Sequence, residues 1–173
     1  MSTSATVPTA GPTAVLPLEG LTVLVRDVAA DVARWRSRVR LGSSERWWTR
    51  LEAAASYDLW LLTWTTNSAT DLHDHGASAA AFTVVAGAVD EVRVHRRATD
   101  GTSMLARTRL PAGTTRWLAP GLVHDVRNRY AAPAVSIHGY SPPLTCMTYY
   151  RLRRGRLHPR RVVTSHQPEA TLR

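Results

Sequence analysis

The chain has 173 residues, which is enough for one domain with a sizeable hydrophobic core. Its hydrophobic content of 44% excludes a wholly disordered protein, and no apolar run approaches the roughly 18 residues of a membrane span, so no membrane partner is expected. The single cysteine, Cys146, cannot form an internal disulfide, and residues 1–18 lack the basic and apolar regions of a secretory signal. These features predict a cytoplasmic protein, and we expect a monomer.

The formal net charge is +9, and all 22 basic residues are arginine. Such a charge raises the question of a nucleic-acid partner. However, residues 151–173 hold seven arginines and one acid, whereas residues 1–150 carry a net charge of only +3. We interpret residues 152–173 as a basic, aperiodic C-terminal tail. Because no helix-turn-helix, RNP or zinc-finger spacing accompanies it, a nucleic-acid partner is disfavoured.

The first predicted elements are a lead and two helices. Residues 1–18 contain three prolines and are predicted to be a disordered N-terminal lead. Residues 19–42 show apolar side chains at helical spacing, which predicts helices that pack against the rest of the domain. Asp31 is a candidate N-cap for the second helix, and Gly42 is predicted to end it.

From residue 45 to residue 151 the pattern changes to short β-like runs separated by glycine and proline turns. Many short strands at this spacing predict an all-β sandwich or barrel, and the absence of βαβ alternation argues against a nucleotide-binding fold. Residues 19–151 are therefore predicted to form one domain. The predicted strands are 47–51, 57–64, 80–85, 88–95, 104–110, 115–118, 124–129, 134–140 and 145–151.

Three histidines form a candidate metal site. His73 and His75 are two residues apart, so on a strand both imidazoles project from the same face. His124 lies at the start of a later predicted strand. Three imidazoles that converge on one point would bind a metal and leave its other positions open. A histidine pair alone is weak evidence, because such residues are more often ordinary surface or core side chains.

The glycines around these histidines strengthen the metal hypothesis. Gly113, Gly121, His124 and Asn128 follow the spacing G-x7-G-x2-H-x3-N. Together with the histidine pair, they resemble the two motifs of the cupin superfamily, which has a small β-barrel with a metal inside. The glutamate of the first cupin motif falls at Ala80 here, which leaves three neutral histidines as the ligand set.

Four blocks of the sequence point to a narrower family than the cupins. In chain order they are DLWLLTW at 58–64, HDHG at 73–76, GLVH at 121–124 and SIHGYSPPL at 136–144. Together they resemble the cysteine dioxygenases of bacteria, and the resemblance runs from about Arg46 to Tyr150. It implies a small cupin-type, jelly-roll-like β-barrel with N-terminal packing helices.

The resemblance implies a mononuclear Fe(II) centre held by His73, His75 and His124. The family oxidises a thiol to a sulfinic acid with O2, so the implied partners are a small-molecule thiol and O2. L-cysteine is the expected substrate. Arg50 matches the arginine that binds the substrate carboxylate in this family, although Trp48 stands where the family usually has tyrosine. Arg46 remains an alternative for the carboxylate, since the register of the predicted hairpin decides between them.

The resemblance also implies a second group of site residues, Ser136, His138 and Tyr140, which alternate along one predicted strand. In the family, Tyr140 would orient the substrate, with His138 and Ser136 behind it. The alternative is a half-buried strand with inward polar residues. Animal members join a cysteine to this tyrosine, but the matching position here is Ala80, so no Cys–Tyr cross-link is expected.

Two other functions stay open at this point. One keeps the chemistry and changes the substrate to 3-mercaptopropionate or another small thiol. Arg50 favours cysteine over it, because the enzymes for that thiol generally have glutamine at this position. The other is a non-catalytic cupin that senses a metal or a thiol.

Overall fold

Strands dominate the computed structural model, which describes residues 15–42 and 46–168. Two helices come first, α1 (Leu18–Ala30) and α2 (Val32–Trp35), followed by a 3-10 turn (Arg36–Arg38). The strands of the described residues are β1 (Trp47–Ala53), β2 (Asp58–Trp64), β3 (His73–Asp74), β4 (Ala79–Ala86), β5 (Ala88–Arg96), β6 (Ser103–Pro111), β7 (Thr115–Leu118), β8 (His124–Arg127), β9 (Ala134–Ser141), β10 (Cys146–Arg153) and β11 (Arg156–Thr164).

The strands form two antiparallel sheets with the orders β1-β2-β9-β4-β7 and β11-β10-β3-β8-β5-β6. The largest core cluster lies between the inner faces of these sheets and includes Trp60, Phe82 and Tyr140. Successive residues of a strand point to opposite faces, so each strand has one row of side chains toward this interior. The predicted all-β, cupin-type fold is confirmed.

The predicted packing of a helix against the barrel is also confirmed. Helix α1 buries Leu21, Val25 and Val28 at helical spacing, and these side chains pack on the outer face of the first sheet. Gly139 of β9 makes this close approach possible, since a Cβ added there would lie 2.7 Å from the Val25 Cγ2 atom. No helix in the described part of the chain is long and apolar enough to cross a membrane.

The second helix is shorter than the sequence predicts. Helix α2 ends at Trp35, the 3-10 turn ends at Arg38, and the chain is extended at Val39 rather than helical up to Gly42. Asp31 precedes α2 but makes no side-chain capping bond. The indole of Trp35 instead donates to the Ala29 carbonyl at 3.2 Å, which ties this short segment back to α1.

The predicted irregular tail is wrong over most of its described length. Residues 156–164 form β11, which pairs antiparallel with β10. The turn between them is Arg154–Gly155, with both residues at positive φ (49° and 70°), as a tight two-residue hairpin requires. The sequence hides this strand because most of its side chains are exposed, so no apolar alternation marks it. The tail residues 169–173, and residues 1–14 of the predicted lead, lie outside the described residues.

Candidate metal centre

The three predicted histidines converge inside the barrel, as the sequence predicts. His73 lies on β3 directly opposite His124 of β8, and His75 follows β3 by one residue. All three side chains are buried, and their candidate ligand atoms lie within 4.8 Å of one another. The Nε2 atoms of His73 and His75 are 3.2 Å apart. Among the described residues, this is the one group of histidine, cysteine or acidic side chains close enough to hold a metal.

The short motif around His75 is fixed by the side chain of Asp74, which points away from the histidines. Its Oδ1 accepts a hydrogen bond from the Gly76 amide at 3.0 Å, and its Oδ2 accepts one from the Tyr150 hydroxyl at 2.6 Å. Gly76 has a φ of 58°, which favours glycine. The Asp-His-Gly turn therefore aims the His75 imidazole inward.

Hydrogen bonds set which ring nitrogens face the centre. His73 Nδ1 lies 2.8 Å from the Asp71 carbonyl, and His124 Nδ1 lies 3.2 Å from Glu91 Oε1. Because both partners are acceptors, each Nδ1 carries the proton and each Nε2 keeps its lone pair. Outer partners of this kind orient metal-binding imidazoles.

Burial lowers the pKa of His73, His75 and His124, and charges on neighbouring groups lower the pKa of the first two further. The three imidazoles are therefore neutral near pH 7, which is the form that binds metals. The cavity between them has a volume of about 10 Å³. Three neutral nitrogen donors in a small closed space fit a divalent transition-metal ion.

Sequence reasoning missed the buried carboxylate of Glu91, on β5. Its Oε1 faces His124, and its Oε2 accepts from Arg116 Nε at 2.7 Å. Burial opposes the charge of this carboxyl, but the hydrogen bonds from His124 and Arg116 and the charge of Arg93 outweigh it and lower the pKa to about 2. The available signal was the place of Glu91 two residues after the apolar Val89, on the same face of the predicted strand. Ala80, where the glutamate of the first cupin motif would fall, lies in the other sheet.

The second predicted group lies on the inner face of β9, beside the histidines. The Trp64 indole donates to Ser136 Oγ at 2.8 Å, and this oxygen lies 2.8 Å from His138 Nε2. The His138 ring stacks on Phe82, with ring centroids 4.8 Å apart. Burial, with the charges of His124 and Arg46, lowers the pKa of His138 to about 3, so this imidazole is neutral.

Tyr140 is the residue of this group nearest to the metal ligands. Its ring centroid lies 5.0 Å from that of His75 and 6.4 Å from that of His138. The pairing of β4 with β9 places Ala80 directly opposite Tyr140. The position that matches the cross-linking cysteine of animal relatives therefore adjoins the tyrosine and carries only a methyl group.

The two candidate arginines lie against different tryptophan rings. The guanidinium of Arg50 lies 4.5 Å from the Trp60 ring centroid and donates to the His166 carbonyl at 2.9 Å. The guanidinium of Arg46 lies 5.1 Å from the Trp64 ring centroid, and its charge lowers the pKa of His73.

Comparison with known proteins gives a family and a fold. The family model described as cysteine dioxygenase type I matches residues 16–153. Among solved structures, TT1209 from Thermus thermophilus is similar over 62% of this chain and 92% of that chain, with 20% sequence identity and a TM-score of 0.51. KdgF from a Halomonas species is similar over 61% of this chain and 90% of that chain, with 14% identity and a TM-score of 0.49. No curated protein matches the chain. At this identity, the likeness to TT1209 shows the fold alone.

Proposed function

The chain belongs to the cysteine dioxygenase type I family, and from that premise we propose that it oxidises the thiol of L-cysteine to a sulfinic acid. Both atoms of one O2 molecule are added to the sulfur, which reaches the sulfinate level of oxidation. The observation that carries the proposal is the cluster of three buried, neutral histidines without a carboxylate ligand. A neutral ligand set leaves the charge of a divalent ion to be balanced by a thiolate.

The metal that we propose for this site is ferrous iron. His73, His75 and His124 would hold it through nitrogen atoms that face the cavity. When bound, iron supplies open positions for the thiolate and O2 and the redox chemistry that zinc lacks. The protein holds the three imidazoles neutral and excludes bulk water from the space between them, since each side chain is at most 4% exposed.

The remaining residues are proposed to orient the substrate. Arg50 would bind the substrate carboxylate, because a guanidinium fork matches the two carboxylate oxygens. Tyr140 would hold the substrate with its hydroxyl, and His138 and Ser136 act as positioning residues behind it. The bond from Trp64 leaves the Ser136 hydroxyl free to donate to His138, which fixes the orientation of the imidazole.

The free Cys146 agrees with a reducing compartment, so we also propose a cytoplasmic location. The proposed state is a monomer.

The test combines metal loading with identification of the product. We expect protein loaded with iron to consume O2 with L-cysteine and yield cysteine sulfinic acid by mass spectrometry. The same protein loaded with zinc is the matched control, and the variant His124→Ala is expected to lose both iron and activity. If 3-mercaptopropionate is oxidised faster than L-cysteine, it is the substrate in place of L-cysteine. If the iron-loaded protein consumes no O2 with any small thiol, the proposed activity is wrong, and the alternative of a non-catalytic cupin that senses a metal or a thiol is favoured.

A further inference from the structure

The segment that follows β11, residues 165–168, lies over the histidine cavity. The Ser165 amide donates to the Thr145 carbonyl at 3.1 Å, and the Gln167 amide donates to Ser165 Oγ at 3.2 Å. These bonds turn the chain toward the barrel. Pro168 is buried and lines the same cavity as the three histidines.

This segment also contacts Arg50, which is proposed to bind the substrate carboxylate, and Trp48, two residues before it. Arg50 donates to the backbone carbonyl of His166 at 2.9 Å, and the Trp48 indole donates to Gln167 Oε1 at 3.3 Å. A neutral backbone oxygen of the chain therefore occupies the guanidinium that is proposed to bind the substrate carboxylate, and a second contact from the neighbouring Trp48 holds the segment in place.

Among the described residues, the space that remains between the histidines and Pro168 is too small for an amino acid. The cavity volume of about 10 Å³ is close to the minimum needed to hold one water molecule. Cysteine therefore enters only after the segment has moved. Because His166 and Gln167 are themselves exposed, the buried contacts that would be lost when the segment moves are those of Ser165 and Pro168.

From these contacts we propose that residues 165–168 form a strap that the substrate displaces. This inference rests on the proposed function. The carboxylate of the incoming thiol replaces the His166 carbonyl on Arg50, and Pro168 leaves the cavity as the thiol enters. The exchange favours the substrate, because a carboxylate is ionised and can accept two parallel hydrogen bonds from the guanidinium, whereas the His166 carbonyl oxygen is neutral and accepts one. A thiol without a carboxylate has no such means of opening the strap.

Hydrogen–deuterium exchange of the full-length, iron-loaded protein under nitrogen tests the strap directly. We expect L-cysteine to speed exchange at the Ser165 and Gln167 amides, and we expect cysteamine, which has no carboxylate, to leave it unchanged. Unchanged or slower exchange with L-cysteine would overturn the strap. Faster exchange in a protein that oxidises no thiol would defeat the proposed function and leave the strap standing.

Variants give a second, kinetic test. Because the apparent affinity falls with the fraction of molecules that are closed, weakening the strap lowers the apparent KM. Gln167→Ala and Pro168→Gly are each expected to lower the KM for L-cysteine by about threefold to tenfold, with kcat unchanged. Val162→Ala, on the exposed side of β11, is the matched control and is expected to leave KM unchanged. A higher KM in both strap variants would identify the segment as a fixed wall of the substrate site instead.

Discussion

His124 and Glu91 meet between the paired strands β8 and β5, with Nδ1 of the imidazole 3.2 Å from Oε1 of the carboxylate. Both side chains are almost fully buried. The carboxylate fixes the imidazole by accepting its Nδ1 proton, so the opposite nitrogen faces the other two histidines. The three histidines are neutral, and the nearby negative charge is on Glu91, which contacts His124 from the side away from the other two histidines.

The variant Glu91→Gln tests this arrangement. It keeps an oxygen acceptor for His124 but removes the negative charge, so the imidazole becomes a weaker donor to a metal. We expect the affinity for Fe(II) to fall by roughly tenfold to a hundredfold. An anaerobic metal titration measures it. Asp125→Asn serves as the control, because it changes a different buried carboxylate, which lies on β8. Equal losses of Fe(II) affinity in both variants would contradict a specific role for Glu91.

Tyr140→Phe separates substrate orientation from metal binding. The tyrosine ring packs against His75, and phenylalanine keeps that packing while it removes the hydroxyl. We expect full iron content and a kcat lower by roughly a hundredfold, the scale of a well-placed proton-bearing group. Metal analysis beside steady-state kinetics checks both. Unchanged kcat would exclude the hydroxyl from the reaction.

The two arginines can be distinguished by a pair of alanine variants. If Arg50 binds the carboxylate, Arg50→Ala raises the KM for L-cysteine by roughly tenfold to a hundredfold, because a hydrogen bond to a charged group contributes about 1.5–3 kcal/mol. Arg46→Ala is then expected to change KM by less than about threefold. The reverse pattern would assign the carboxylate to Arg46, whose charge already acts on His73 and His138.

The sequence was sufficient for those features that depend on local spacing. His73 and His75 sit in one short motif, and Ser136, His138 and Tyr140 follow the two-residue period of a strand, so their common face is fixed before any tertiary contact is known. His124 lies far from the other two in the chain, and the spacing of Gly113, Gly121 and Asn128 around it, with the family resemblance, joined it to them.

The features that the sequence did not reveal depend on contacts between distant elements. Glu91 contacts His124 because β5 pairs with β8, and that pairing cannot be predicted from the sequence of either strand. Strand β11 is held by its pairing with β10 rather than by an apolar face. Its sequence therefore lacks the apolar alternation from which a strand is predicted. The contact of Arg50 with the His166 carbonyl joins two positions 116 residues apart, and no local pattern indicates it.

Ala80→Cys tests the geometry around Tyr140. Opposite residues on antiparallel strands have Cβ atoms about 5 Å apart, which brings a thiol at position 80 beside the tyrosine ring. We expect iron, O2 and L-cysteine to produce a thioether between the cysteine sulfur and a ring carbon, with loss of the thiol hydrogen and one ring hydrogen to O2. Intact mass spectrometry detects the loss of two hydrogen atoms. Ala79→Cys, which pairs with Ser141 instead, is the control and is expected to stay uncross-linked, as is the natural chain.

Asp58 lies buried at the start of β2, and we expect its replacement by asparagine to raise the free energy of unfolding in a pH-dependent way. Burial raises the pKa of this carboxyl above its usual value of 3.8, although the Trp60 indole and the charge of Arg50 oppose the shift. The folded protein therefore holds this proton to a higher pH than the unfolded chain does. As the pH rises through that interval, the free energy of unfolding falls, and above it the loss is constant.

Asp58→Asn cannot ionise and so avoids this loss. We expect the variant to gain stability relative to the natural chain as the pH rises from about 4, and the gain to level off once the folded-state carboxyl of the natural chain has ionised. Urea unfolding of both proteins at a series of pH values measures the difference. The comparison cancels the opposite contribution of Glu91, whose lowered pKa makes both proteins more stable as pH rises from about 2. A difference that does not change with pH would show that burial costs the Asp58 charge nothing.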